Sequence, residues 1–506
     1  MKSIYITTPI YYVNDVPHIG HVYTTLISDI IARFKRLDGY NVKFVTGTDE
    51  HGQKIEKAAQ KANKSLIEFT DNASAVFRSL ADVMTFSYDD FIRTTEARHK
   101  KAVKALWTCL YDYGEIYLGN YSGWYAIRDE TFYQEKELID GKAPTGAEVE
   151  WVEEPSYFFR LSRFQERLLD FYEQNPDFIV PKYRYNEVVS FVKSGLKDIS
   201  ISRQNISWGI NVPNDDHHVI YVWIDALTNY LTVLGFPDVN SKEYQDYWLD
   251  ENNSIIQVVG KDILRFHAIY WPAMLMAAKL PLPKKILAHG WWTNTGQKIS
   301  KSLGNVINPF ELIEEFGVDQ IRYFLIKEMP VGNDGDYKRS SVINCINCEL
   351  ANNIGNLVQR TVSLLHKECS GIVPEVSSTL FKDEDALPNY EKILESARIC
   401  IDQCNLNGVI HIIEQLSSIA NEYITFRAPW KLSKTDPIVM QAVLYKLLEY
   451  IRCIGLLLQP IMPSLSAKIL DQISLQISKR SFSDFAIPID VGIILPKPEP
   501  IIAKIL

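Results

Sequence analysis

Two histidines near the start of the chain have both the chemistry and the position to bind a phosphate group. His18 and His21 flank Gly20. An imidazole N–H can donate to a phosphate oxygen, and glycine lets a ligand approach the backbone closely. From residue 22 onward the apolar residues recur every three or four positions, which predicts a helix that ends near residue 38. The histidines are therefore expected at a helix N-terminus, where backbone N–H groups and the helix dipole favour an anion.

A second group of phosphate-binding side chains lies near residue 300. Lys298, Ser300 and Lys301 lie between Gly296 and Gly304, which predicts a mobile loop with cationic and hydroxyl donors. On its own this stretch also fits a solvated surface loop, just as two histidines beside a glycine can merely cap a helix. The chain contains no Gly-x4-Gly-Lys-[Ser/Thr] element, so a P-loop triphosphate site is excluded.

Strands and helices alternate around these residues. Residues 4–8 and 42–45 predict strands, residues 46–52 the loop at the carboxyl end of the second strand, and residues from about 53 the next helix. Residues 255–288 repeat the pattern as strand, helix and strand. This alternation predicts an α/β fold with a doubly wound, Rossmann-like parallel sheet that binds ligands beyond the carboxyl ends of its strands. His18, His21 and Asp49 are expected at that edge.

Four regions follow from the change of pattern along the chain. Short aromatic and β-branched runs predict a small antiparallel insertion that splits the catalytic domain, and helical periodicity beyond Asn344 predicts a bundle. The predicted regions are residues 1–116 and 221–343 for the two halves of the catalytic domain, 117–220 for the connective insertion, and 344–506 for the helical domain.

Composition sets limits without identifying a function. The 506 residues are 46% hydrophobic and 23% charged, which is typical of a soluble protein of about three domains. A net charge of −9 gives no electrostatic argument for nucleic acid. The apolar stretches are too short for a membrane span, and the first residues resemble no secretory signal, so a cytoplasmic protein is expected. Seven cysteines, an odd number, fit a reducing compartment. The cysteines that lie three or four residues apart fall on one apolar face of a predicted helix, so they are not expected to bind zinc.

Together, the two phosphate-binding stretches resemble the paired signatures of class I aminoacyl-tRNA synthetases, His-Ile-Gly-His and Lys-Met-Ser-Lys-Ser. Residues 18–21 match the first, and residues 298–302 match the second except that Ile299 replaces methionine. Residues 46–52, 223–230 and 260–263, with His267, are similar to the methionyl-tRNA synthetase family in particular. The resemblance covers nearly the whole chain.

This resemblance implies a methionine–tRNA ligase. Such an enzyme would activate L-methionine with ATP to methionyl-adenylate and pyrophosphate, with Mg²⁺ as helper, and then transfer methionine to the 3′-terminal ribose of tRNA(Met). The residues that would bind ATP are His18, Gly20, His21, Lys298, Ser300 and Lys301, of which the histidines and lysines are the expected catalytic residues. Because the methionine carboxylate is already ionised, activation needs positioning and charge stabilisation rather than a base. We identify no general base for the transfer step.

The resemblance also implies a methionine pocket and an anticodon site. The pocket residues would be Ile10, Tyr12, Asp49, Trp223, Ala226, Leu227, Tyr230, Ile263 and His267. Asp49 would hold the ammonium group, and Asp262 would lie on the ribose side of the adenylate. Aromatic walls suit a thioether, although spacing alone fits Trp223 and Tyr230 equally well as core aromatics. The anticodon would be read by Asn356, Arg360, Pro429 and Trp430, where an exposed tryptophan beside a basic residue suits stacking on an unpaired base.

Three alternatives stay open. One is another class I synthetase, although the branched-chain enzymes carry a much longer editing insertion and the cysteine enzyme needs zinc ligands. The second is a small nucleotidylyltransferase with the same histidine signature, and the third is a non-catalytic tRNA-binding relative. The positions that match the family's zinc knuckle are Ala126, Asp129, Ala143 and Gly146, which cannot form a tetrahedral site, so no structural zinc is predicted. A monomer is the default expectation.

Overall fold

The computed structural model describes residues 2–14, 16–129, 131–133, 135–204, 206–250, 253–299, 305–381 and 386–505. The chain divides into two compact units. We call residues 3–17 and 43–289 the sheet unit, and residues 1–2, 18–42 and 290–506 the bundle unit.

The elements follow in chain order. The strands are β1 (Ser3–Thr7), β2 (Tyr11–Tyr12), β3 (Asn41–Asp49), β4 (Asp90–Arg93), β5 (Ile116–Ala126), β6 (Thr131–Tyr133), β7 (Glu150–Phe159), β8 (Ile179–Val180), β9 (Ile199–Ser200), β10 (Ser202–Arg203), β11 (Asn211–Val212), β12 (Asp215–Ile220), β13 (Ser254–Gly260), β14 (Lys285–His289), β15 (Trp292–Asn294), β16 (Gln297–Lys298) and β17 (Gly335–Tyr337). The α-helices are α1 (Ile19–Leu37), α2 (Gln53–Lys61), α3 (Leu66–Val83), α4 (Ala97–Asp112), α5 (Gln165–Gln174), α6 (Lys182–Lys193), α7 (Val222–Leu227), α8 (Asn229–Thr232), α9 (Lys242–Tyr244), α10 (Trp271–Ala277), α11 (Pro309–Phe316), α12 (Val318–Glu328), α13 (Arg339–Asn344), α14 (Asn356–Cys369), α15 (Tyr390–Asp402), α16 (Leu406–Arg427), α17 (Pro429–Thr435), α18 (Pro437–Leu458) and α19 (Pro463–Gln472).

The sheet unit is built on a parallel sheet with the strand order β2-β3-β1-β13-β14-β8, and β4 also pairs with β3. β1 runs parallel to β13, with Tyr5 opposite Ile255. Every residue of β1 is buried, as expected of a strand covered on both faces. The Rossmann-like fold class predicted from the sequence is confirmed.

Two boundaries differ from the sequence-based expectation. β3 continues to Asp49, whereas the sequence indicated a loop from Thr46. Its last residues stay in the sheet because residues 45–48 pair with β4 and Thr48 and Asp49 pair with β2. β8 lies within the predicted insertion, yet it pairs with β14 in the parallel sheet.

The insertion contains short antiparallel sheets, as its aromatic and β-branched runs predicted. β5 pairs along ten residues with β7, and a four-stranded sheet has the order β6-β5-β7-β9. A smaller sheet has the order β10-β12-β11.

The bundle unit is helical, as predicted beyond Asn344. Nearly all of α18 is buried, including Lys446, Glu449 and Arg452, which identifies it as the central helix of the bundle. α1, which follows the first histidine, also belongs to this unit. Across the described residues, no helix is both long and apolar enough to span a membrane.

Candidate active site

The histidine pair lies at the start of α1, as its spacing predicted. His18 is the N-cap, and its Nδ1 accepts the Gly20 backbone N–H at 3.1 Å. The Nδ1 of His21 accepts the backbone N–H of His18 at 3.1 Å, and the two rings stack with centroids 3.9 Å apart. A neutral ring whose Nδ1 accepts carries its hydrogen on Nε2, as assigned from this hydrogen-bond network. Burial, with a contribution from His18, lowers the pKa of His21 well below its usual value, so His21 is a neutral donor.

Glycine is required between these histidines. A Cβ at Gly20 would lie 2.9 Å from Cε1 of His18, so any side chain there would displace the ring. Local packing against the His18 ring thus accounts for glycine at this position of the motif.

The stretch that carries the lysines begins as a hairpin rather than as an irregular loop. β15 and β16 are antiparallel and are joined by Thr295 and Gly296, both with positive φ. The Asp336 carboxylate holds this turn, because it accepts the Gly296 N–H at 2.7 Å and the Thr293 hydroxyl at 2.8 Å. These bonds lower the pKa of Asp336. The backbone of Lys298 ends β16, whereas Ser300 and Lys301 lie outside the described residues.

In the sheet unit, three of the predicted pocket residues form one hydrogen-bonded group. The Tyr230 hydroxyl lies 2.7 Å from His267 Nε2, and His267 Nδ1 lies 3.0 Å from the Ile263 carbonyl oxygen. A carbonyl only accepts, so Nδ1 carries the hydrogen and the Tyr230 hydroxyl donates to Nε2. Burial lowers the pKa of His267 to about 4 and raises that of Tyr230, so both groups are uncharged near neutral pH.

Three more predicted pocket residues lie on the short helix α7. Trp223 stacks on Phe266, with ring centroids 3.6 Å apart and an interplanar angle of 13°. Ala226 and Leu227 are buried. Phe266 immediately precedes His267, so the stacked pair connects α7 to the same group that holds Tyr230. Sequence reasoning assigned no role to Phe266.

The remaining sheet-unit residues lie at the ends of strands. Tyr12 on β2 is the register partner of Asp49 at the end of β3, and Ile10 packs against the main hydrophobic core. Asp262 is exposed in the turn after β13. A Cβ at Gly260 would come within 2.5 Å of the Asp262 carboxylate, so a larger residue there would shift the Asp262 side chain.

The predicted anticodon residues lie on two helices of the bundle unit. Asn356 and Arg360 are on α14, and Pro429 and Trp430 begin α17. The Arg360 guanidinium lies 5.8 Å from the centre of the Trp430 ring, and Trp430 is 39% exposed. Trp430 is therefore not a core residue. Phe426, near the end of α16, is 74% exposed, and the sequence reasoning missed it.

The positions that match a zinc knuckle hold a small apolar cluster and a hydrogen-bonded carboxylate. Ala126 and Ala143 are buried together with Ala147. The Asp129 carboxylate accepts hydrogen bonds from the hydroxyls of Tyr133, at 3.1 Å, and Thr145. Across the residues that the structure describes, no group of three or more histidine, cysteine or acidic side chains is placed to hold a metal ion.

A further buried group beside the pocket was missed entirely. Asp225 on α7 accepts hydrogen bonds from His51 and His99. His51 and Asp225 belong to blocks that carry the resemblance, yet the sequence assigned them no role. Their separation of 174 residues leaves no signal of contact in a single sequence.

Comparison with known proteins gives matches along nearly the whole chain. Residues 4–148 and 136–362 match the family model described as tRNA synthetases class I (M), and residues 373–505 match that of the anticodon binding domain of methionyl tRNA ligase. The chain is 57% identical to the methionine–tRNA ligase of Rickettsia bellii over 96% of this chain and 95% of that protein. It is 48% identical to that of Brucella suis over 99% and 98%. The solved Mycobacterium tuberculosis methionyl-tRNA synthetase in complex with methionyl-adenylate is similar with a TM-score of 0.95 and 45% identity, over 99% of this chain and all of that one.

Proposed function

Given that the chain belongs to the class I methionyl-tRNA synthetases, which activate methionine with ATP and join it to tRNA, we propose that the buried Tyr230–His267 pair selects methionine. This pair is the observation that carries the assignment. Its hydrogen bond at 2.7 Å, together with the bond of His267 to Ile263, uses both ring nitrogens of a neutral histidine. The group therefore presents no charge to a side chain beside it.

The chemistry of this group suits a thioether. The aromatic rings of Trp223 and Tyr230 offer favourable contacts to a polarizable sulfur, and Ala226, Leu227 and Ile263 complete an apolar lining. A charged amino acid would lose its hydration there without gaining a partner. Ile10, Tyr12 and Asp49 form the rest of the proposed pocket, with the Asp49 carboxylate as partner of the ammonium group.

In the bundle unit, His18 and His21 are assigned to the ATP phosphates. Each carries its hydrogen on Nε2, which can donate to oxygens whose charge grows as the methionine carboxylate attacks the α-phosphate and pyrophosphate leaves. The Gly20 N–H holds the His18 ring, and Lys298, Ser300 and Lys301 are assigned as further donors. Asp262 is assigned to the ribose side. Since the described residues offer no cluster of metal ligands, we assign Mg²⁺ to the nucleotide, as the MgATP substrate.

For tRNA we assign the helical region 344–506, and within it the Arg360–Trp430 contact. A partly exposed ring with a guanidinium 5.8 Å from its centre is a suitable platform for an unpaired base, with Asn356 and Pro429 beside it in sequence. We also propose that the enzyme acts as a monomer in the cytoplasm, which size-exclusion chromatography with light scattering and cell fractionation would test.

The decisive experiment is exchange of labelled pyrophosphate into ATP with a full panel of amino acids and Mg²⁺, without tRNA. We expect exchange with methionine. In Tyr230→Phe, loss of the bond to His267 should raise the KM for methionine about tenfold, equivalent to about 1.4 kcal/mol, and leave the KM for ATP within about twofold. Tyr445→Phe is the matched control, because it removes a buried tyrosine hydroxyl that bonds the Ile489 carbonyl in the bundle unit. Exchange with a different amino acid, or equal methionine KM values in the two variants, would refute the pocket assignment.

A further inference from the structure

A buried carboxylate lies on the helix that carries much of the proposed methionine pocket. Asp225 Oδ2 lies 2.6 Å from His51 Nδ1, and Asp225 Oδ1 lies 2.8 Å from His99 Nε2. The side chains of Asp225, His51 and His99 are 1%, 2% and 0% exposed. The three residues come from α7, from the chain just after β3, and from α4. We call them the Asp225 clamp.

The hydrogen bonds define where the protons lie. The two histidines lower the pKa of Asp225 to about 2, against the opposing effect of burial, so it is a carboxylate and only accepts. His51 Nδ1 and His99 Nε2 must then both donate. The Thr232 hydroxyl lies within hydrogen-bond distance of both His99 Nδ1, at 3.1 Å, and the Thr228 carbonyl oxygen, at 3.0 Å.

Neighbouring residues hold the clamp rigidly. His51 packs edge-on against Trp208, with centroids 5.4 Å apart, and the Trp208 indole donates to the Glu50 carbonyl. The Glu50 carboxylate accepts two hydrogen bonds from Arg93, at 2.6 and 3.0 Å. His51 is therefore packed between the Trp208 ring and the Asp225 carboxylate.

The consequence concerns α7. This helix has only six residues, too few to keep its position through its own hydrogen bonds. Trp223, Ala226 and Leu227 lie on it, within two residues of Asp225 on either side. We propose that the Asp225 clamp is a positioning group for methionine recognition: His51 and His99 fix α7, and α7 sets the pocket wall. This inference rests on the proposed methionine pocket and adds residues that touch no substrate.

The test is the effect on methionine and ATP separately in pyrophosphate exchange. In Asp225→Asn, which keeps the shape but replaces one of the two accepting carboxylate oxygens with an NH2 donor, we expect the KM for methionine to rise at least about tenfold. The KM for ATP should stay within about twofold. A general loss of structure would instead raise both KM values or lower the amount of active enzyme.

A milder pair of variants keeps the inference testable if Asp225→Asn does not fold. Thr232→Val removes only the hydroxyl that is hydrogen-bonded to His99 Nδ1, and should raise the methionine KM about threefold to tenfold. Thr232→Ser keeps that hydroxyl and should restore the parent value. An unchanged methionine KM in Thr232→Val, or equal defects in the Val and Ser variants, would overturn the inference.

The Tyr230→Phe variant separates this inference from the proposed function. If Tyr230→Phe raises the methionine KM while Asp225→Asn and Thr232→Val do not, the pocket stands and the clamp fails. If the parent enzyme exchanges no pyrophosphate with methionine, the proposed function fails first.

Discussion

Replacement of Arg322 by methionine should loosen α1, the helix that begins after His18. Arg322 on α12 is fully buried, and its Nη2 lies 2.6 Å from Asp29 Oδ2 on α1. The same guanidinium donates to the carbonyls of Pro460 and Ile461, at 2.9 and 2.8 Å. One side chain therefore connects α1, α12 and the turn between α18 and α19.

The size of the effect follows from these contacts. Removing one partner of a buried ion pair costs about 3–5 kcal/mol, because the other charge stays buried. Arg33 still bonds Asp29 at 2.9 Å, which reduces the loss of stability. The two carbonyls lose their donor, which increases that loss by about 1 kcal/mol each. These contributions come from one site and do not simply add. We therefore expect Arg322→Met to lower the free energy of unfolding by about 3–5 kcal/mol in all.

The assay is hydrogen exchange by mass spectrometry, which reports local opening in a chain with two compact units. Peptides from α1 should exchange faster in Arg322→Met, whereas peptides from α6, in the sheet unit, should not change. Arg322→Lys keeps the charge but cannot make all three contacts of the guanidinium. Its loss of stability should therefore be smaller than that of Arg322→Met, about 1–3 kcal/mol. In pyrophosphate exchange, Arg322→Met should raise the KM for ATP more than that for methionine, because His18 and His21 begin α1.

Two results would refute this reasoning. One is a loss of less than about 1 kcal/mol in α1 protection, which would mean that water or Arg33 replaces the guanidinium. The other comes from the double variant Asp29→Leu, Arg322→Met, which removes both charges and should be no less stable than Arg322→Met alone. A much larger loss in the double variant would show that Asp29 acts through other partners.

Four further predictions concern separate parts of the chain. His267 has a pKa of about 4 when folded against 6.5 when unfolded, so the unfolded chain binds the proton first as the pH falls. Stability is thus lost between pH 6.5 and about 4, by up to about 3 kcal/mol, and urea midpoints of His267→Gln should depend less on pH over that window; an equal dependence would contradict this. Trp430→Ala should reduce tRNA charging about tenfold and leave pyrophosphate exchange unchanged, with Trp151→Ala, another exposed tryptophan, as the control; unchanged charging would remove the anticodon assignment. Elemental analysis should find no stoichiometric zinc, and bound zinc would overturn this expectation. Asp129→Ala should speed proteolysis of the insertion, because the Tyr133 and Thr145 hydroxyls lose their acceptor. Unchanged proteolysis would contradict this.

Local patterns predicted local structure well. The alternation of strands and helices gave the Rossmann-like class, and the apolar period after residue 22 placed both histidines at the start of α1. The loop assigned to residues 46–49 was wrong, because Gly47 and Asp49 are residue types that favour turns and are depleted in strands. Residues 46–49 stay in β3 because Thr46 and Thr48 are β-branched and buried, and because two neighbouring strands pair with them.

Contacts between residues far apart in the chain could not be predicted from the sequence, for a different reason. The pairs Asp29–Arg322 and His99–Asp225 are separated by 293 and 126 residues, and nothing in the local pattern of either partner specifies the other. Family resemblance supplied the residues that would touch methionine, but not those that hold α7 in place. Residues that act through another side chain carry no chemistry of their own, so they become visible only when their partner is seen.

The grouping of α1 illustrates the same limit at the scale of a whole helix. Residues 18–42 lie in the predicted first half of the catalytic domain, and the structure groups them in one compact unit with residues 290–506. Three contacts along α1 account for this: the Tyr23 hydroxyl donates to the Met329 carbonyl at 2.8 Å, Asp29 meets Arg322, and Lys35 meets Asp402 at 2.6 Å. The helix that presents the two histidines is therefore held by the unit that contains Arg360 and Trp430. A change in the packing of that bundle would displace α1 and with it the two histidines proposed to bind ATP, which is why Arg322→Met should raise the KM for ATP more than that for methionine.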